Sequence, residues 1–129
     1  MKRNSDFAEL LLRKARQDAA LLNKLSEDLD VADDIIGFHY QQVIEKSLKA
    51  LLSLKGIEFR KTHDIRELLD SIADNKLEIP SWFAGLDAWT PFAVGYRYEE
   101  LPDGPVCPVP RKDIASTAFS IILISGSIF

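Results

Sequence analysis

The chain reads as an all-α protein, a five-helix up-and-down bundle, on three observations. Apolar residues recur at helical spacing in nearly every segment, and no strand signal is strong enough to compete. Six Gly and six Pro in 129 residues are too few for a turn-rich β fold. With 47% hydrophobic and 28% charged residues, this length fits one soluble domain, placed at residues 5–125.

Each element has its own signal. Asp6 and Glu9 form a capping-box pattern that predicts a first helix from about Phe7, with Leu11, Ala15, Leu22, Leu25 and Leu29 along one face. Acids cluster around Asp30 and Asp34, as at a turn and the first turn of a second helix over about 34–55. Ile36, Tyr40, Val43, Ser47, Ala50 and Leu54 line one side of it. Ile44, Leu48 and Leu51 widen that stripe, as in a central helix with more than one neighbour. Glu45 and Lys49 make an i, i+4 pair, and Gly56 supplies the left-handed residue that ends the helix. Asp64 with Glu67 repeats the capping box and opens a third helix with Ile65, Leu68, Leu69 and Ile72 inward. A connector over 74–80 leads to an aromatic-rich fourth helix over 81–98, which Thr90-Pro91 either starts or kinks. Residues 99–110, rich in Pro, form an irregular loop, and the fifth helix covers about 111–125.

Composition and missing motifs exclude several functions. A net charge of −4 gives no general attraction to nucleic acid or anionic lipid. The single Cys107 makes no internal disulfide and fits a reducing, cytoplasmic setting. The start, MKRNSDFAELLLRK, is broken by Asp6, Glu9 and Arg13 and lacks the apolar run of a signal peptide. Residues 114–129 carry no charge, but this stretch holds five hydroxyl side chains and falls short of the about 20 apolar residues that span a bilayer. It reads as a buried helix ending near Gly126, so no membrane is expected as a partner. There is no P-loop, G-x-G-x-x-G, H-E-x-x-H or C-x-x-C. Two His and one Cys do not make a structural zinc site, and Cys107 in the run PVCPVP lacks the rigid scaffold that a nucleophile needs. No cofactor is expected.

Three polar features remain. His39, Gln42 and Lys46 follow one another at i+3 and i+4 and share a helix face. That face is either a solvated surface or a groove suited to a phosphate or carboxylate. Residues 46–66 hold six cations against two acids, which reads as an ordinary solvated segment or as a patch facing a nucleotide or an RNA backbone. In Tyr96-Arg97-Tyr98, the guanidinium can stack on aromatics, clamp a phosphate, or sit at a helix C-terminus. Trp82, Phe83, Trp89 and Phe92 suit a core or an oligomer contact.

The run GFHYQQVIEKSLKALLSLKGIEFRKTHDIRELLDSI, with the later FAVGYRYEE, resembles the HEPN domain (higher eukaryotes and prokaryotes nucleotide-binding). The shared features are a Q-x-x-E-K-x-L-K-A-L-L helix, a short loop, T-H-D-I-x-x-L-L, and an Arg-Tyr pair closing a short fourth helix. The resemblance covers about residues 5–125. It implies a five-helix bundle, a homodimer, and a minimal nucleotidyltransferase as partner in a two-component, toxin–antitoxin-like pair. It places His39, Gln42, Lys46, His63, Arg97 and Tyr98 around a nucleotide groove. Lys46 and Arg97 would contact phosphate, His63 or Gln42 would hydrogen-bond, and Tyr98 would stack on a base.

Many family members are metal-independent ribonucleases with an R-x(4–6)-H motif completed across a dimer. This chain departs from that pattern: Asp34, Asp33 and Ala32 precede His39 at the required spacings, and Glu58, Ile57 and Gly56 precede His63. A nucleotide-binding partner protein is therefore the first reading. A ribonuclease using His63 with Arg60 or Arg97 is the second, and a structural dimerisation adaptor the third. The uncharged C-terminal helix is a further departure from the family.

Overall fold

The computed structural model describes residues 2–93 and 111–127. Four α-helices and one 3-10 segment follow in order: α1 (Lys2–Leu25), α2 (Asp33–Leu54), α3 (Ile65–Asp74), the 3-10 segment (Ser81–Phe92) and α4 (Arg111–Ser127). No strand occurs among the described residues. α2 is the axis of the bundle. It packs against all four other elements, with α1 and α4 in mutual contact beside it and α3 against the 3-10 segment.

The wide stripe read on α2 has this cause. Ile36, Tyr40, Val43, Ile44, Leu48, Ala50, Leu51 and Leu52 are all buried. α1 contributes a narrower buried seam, three alanines (Ala8, Ala15 and Ala19) and Leu22. α1 starts at Lys2 rather than near Phe7, so Asp6 lies within the helix and does not cap it. No Gly or Pro precedes Gly37, so nothing in the sequence stops the helix from extending toward the terminus. Leu29, expected on the apolar face, falls beyond the helix end and is 92% exposed.

The end of α2 is a Schellman turn. Gly56 has φ +69°, its N–H donates to the Ser53 carbonyl, and the Ile57 N–H donates to that of Leu52. α3 ends in the same way, with Lys76 N–H to Ala73 and Leu77 N–H to Ile72, but there Lys76 occupies the left-handed position at φ 57°. At the start of α3, Asp64 caps the Arg66 N–H at 3.0 Å, as expected. Glu67 does not complete the box. Thr62 Oγ1 accepts from the Asp64 N–H, while Glu67 binds Arg60.

Where a fourth α-helix was expected, residues 81–92 form 3-10 turns with Pro91 inside them. Phe83, Leu86, Trp89 and Phe92 are buried at a spacing of three. At three residues per turn they form one face, whereas an α-helix would carry them about halfway round its surface. Trp89 meets Tyr40 edge to face at 4.5 Å, and Phe92 lies against Gly37, where a Cβ would stand 2.1 Å from its ring. Trp82 remains 43% exposed. The rest of the expected helix, from 94 on, lies outside the described residues.

α4 runs through Gly126 to Ser127 and is buried on one face only. Ile114, Ala118, Ile121 and Ile122 point inward, while Phe119 and Leu123 are 44% and 73% exposed. Its first residue ties it to the α1–α2 turn: Arg111 Nε donates to Asp33 Oδ1 at 2.7 Å, Nη1 donates to the Asp28 carbonyl at 3.0 Å, and Nη2 donates to the Val31 carbonyl. No described helix is long and apolar enough to cross a membrane.

Candidate functional site

Two neighbouring polar rows run along α2. One is His39, Gln42 and Lys46; the other is Gln41, Glu45 and Lys49. The first row meets α1 through Asp18, whose Oδ1 lies 3.0 Å from His39 Nδ1 and whose Oδ2 accepts from Lys46 Nζ at 2.6 Å. One carboxylate thus holds both the histidine and the lysine of that face.

The second row is deeper. Gln41 is fully buried, and Glu45 is 5% exposed. The Schellman turn reverses the chain at Gly56 and sends the loop back beside α2, which brings His63 over Glu45. Glu45 Oε1 takes His63 Nδ1 and Gln41 Nε2, both at 2.9 Å, and Oε2 accepts from Lys49 Nζ at 2.8 Å. Burial alone would raise the Glu45 carboxyl. Hydrogen bonds from Lys49, Gln41 and His63, with the charge of Lys49, outweigh it and hold the group below its ordinary value of 4.5. An ionised carboxylate only accepts, so His63 Nδ1–H is the donor in this contact and Nε2 is the ring nitrogen outside it. The His63 side chain as a whole is 52% exposed.

Gln42 joins the two rows by donating to Gln41 Oε1 at 2.7 Å. Four residues expected around a groove, His39, Gln42, Lys46 and His63, therefore lie on one polar strip of two adjacent rows, His39 and Lys46 bonded to Asp18, and Gln42 and His63 bonded through Gln41 and Glu45. Arg97 and Tyr98, together with Tyr96 and Cys107, lie outside the described residues. Arg60 is not turned to this strip: its Nε and Nη2 grip Glu67 at 2.8 and 2.7 Å.

The local surplus of cations between 46 and 66 is reduced by acids from other parts of the chain. Lys46 faces Asp18, Lys49 faces Glu45, Arg60 faces Glu67, and Arg66 lies 3.7 Å from Asp70 and 3.5 Å from Asp87. Lys55 and Lys61 have no ion pair among the described residues. Counting charges along the segment cannot reveal this, because Asp18 and Asp87 are distant in sequence. Asp18, Gln41 and Glu45 were not singled out as site residues. A signal existed: Gln41 and Glu45 open the row that continues with Leu48 and Leu52, and Asp18 stands between Ala15 and Leu22 in the seam of α1. A polar group in a core row needs a partner. Among the described residues, no cluster of three His, Cys, Asp or Glu could hold a metal ion.

Comparison with known proteins agrees with the sequence resemblance. The model of the HEPN domain matches residues 8–122. A relative in Methanocaldococcus jannaschii, named "Putative toxin MJ1304", is 34% identical over 58 residues, which are 45% of this chain and 37% of the relative. The match thus spans little more than a third of that protein's length. No solved structure gives a significant match.

Proposed function

The chain belongs to the HEPN domain family, and we propose that it is the HEPN member of a two-component, toxin–antitoxin-like pair. In this reading the polar strip on α2 binds a nucleotide, and the partner is a minimal nucleotidyltransferase. Family membership and the toxin-named relative support the first part. The strip carries the second: Lys46 uses one donor on Asp18 and keeps two for a phosphate, while His39 and His63 both present Nε2 away from their carboxylates. Arg97 and Tyr98 are assigned the second phosphate contact and the base stack.

Isothermal titration of the chain with a panel of nucleotides tests the ligand. Binding that is lost in the Lys46→Ala, Arg97→Ala double variant, with helical circular dichroism retained, supports the groove; binding that survives rejects it. A tagged pull-down from the native host tests the partner, which should co-purify in stoichiometric amount and be identified as a nucleotidyltransferase by mass spectrometry.

A second reading, metal-independent ribonuclease activity, is favoured by one observation. Glu45 orients His63 as a carboxylate orients the imidazole of a general base, with Nε2 free to accept a 2′-hydroxyl proton. It predicts cleavage of single-stranded RNA in the presence of a chelator, lost in His63→Ala. Arg60 is bound to Glu67, so Arg97 is the candidate for the phosphorane charge.

A further inference from the structure

At the end of the bundle where the start of α1, the end of α2 and the following loop meet, there is a cavity of about 470 Å³. Phe7, Leu11, Ile57 and Phe59 form its apolar wall, and Lys49 and Lys61 supply its cations. We propose that this cavity binds a small hydrophobic monoanion, an apolar body with a single carboxylate or sulfonate head. The cavity borders the polar strip at Lys49, but the proposal does not depend on the nucleotide reading.

The size lies within the roughly 300–1,000 Å³ of small-molecule pockets, and a mostly apolar lining with few polar groups is their usual composition. Phe7 is 45% exposed, a large apolar side chain left in contact with solvent at the rim. The charge pattern sets the class of head group. Lys49 is already engaged by Glu45 at 2.8 Å and keeps only its remaining donors. Lys61 has no ion pair among the described residues, so its charge is the one to be neutralised. Glu58 stands on the same lining and opposes a polyanion such as a triphosphate. One negative charge on an apolar body satisfies the walls, Lys61 and Glu58 together.

The test is titration of the whole chain with 8-anilinonaphthalene-1-sulfonate, followed by fluorescence and by amide NMR. We expect saturation at one probe per chain, with shifts at Ser53, Gly56, Ile57 and Lys61. Lys61→Glu and Phe7→Ser alter exposed side chains and should leave the fold intact while each weakening the probe by roughly fivefold or more. Leu123→Ser, in the separate groove between α1 and α4, is the control and should not change the affinity. The proposal is overturned by an absence of saturable binding at millimolar probe. It is equally overturned by shifts that map to Phe119 and Leu123, or by affinity unchanged in both cavity variants. Nucleotide titration of the same two variants separates the sites: loss of nucleotide affinity in them would make the cavity part of the groove and also reject the proposal.

Discussion

His63 Nδ1 lies 2.9 Å from Glu45 Oε1, joining a half-exposed imidazole on the return loop to a buried carboxylate on the central helix. Glu45 is also held by Gln41 and Lys49, so its position does not depend on the loop. His63 does depend on Glu45, which sets both the tautomer and the direction of the free nitrogen.

The buried carboxylate, held by Lys49, Gln41 and His63, makes stability depend on acid. The Glu45 pKa is lowered in the folded chain, so its ionised form stabilises the native state. That contribution is complete above the ordinary value of 4.5 and is lost as pH falls below it, through the folded value. Urea unfolding of the wild type and Glu45→Gln should differ most near neutral pH and converge in acid. A gap that stays constant down to pH of about 3 contradicts this linkage.

Asp18 serves two donors and is 15% exposed. Asp18→Ala leaves His39 and Lys46 without their shared acceptor and should cost roughly 1–2 kcal/mol. Asp70→Ala removes a distant partner of Arg66 at an exposed position and should produce no resolvable change in the same melts.

Gly37 and Phe92 occupy one another's space. Gly37→Ala should destabilise by about 1–3 kcal/mol, because its Cβ overlaps the aromatic ring. In a Phe92→Ala background the sign should reverse, since alanine is the better helix former by about 0.5–1 kcal/mol. A double-mutant cycle by chemical unfolding measures both steps; simple additivity would refute the packing argument.

Lys76 adopts the left-handed conformation at the end of α3, where its Cβ is crowded by the backbone. Lys76→Gly should stabilise the chain by roughly 0.5–1 kcal/mol, the relief of that crowding exceeding the added flexibility of the unfolded state. Thermal unfolding reads the effect, and a lowered melting temperature counts against it.

Local physics was legible in the residues themselves. The stripe on α2, the cap at Asp64, the turn at Gly56 and the inward face of α3 all follow from side chains within a few positions of one another. The period-three spacing of Phe83, Leu86, Trp89 and Phe92 was equally present and marks 3-10 turns, although aromatic richness alone suggests an α-helix. The charges were a different matter. Lys46 looks like a free cation until Asp18, twenty-eight residues before it, takes its ammonium group. His63 looks like a loop histidine until the return of the chain sets it on Glu45. Periodicity decides which side of a helix is apolar because burial is a local average over many residues. Ion pairs and hydrogen bonds are decided by single atoms within about 3 Å, and only packing brings such atoms together from separate helices.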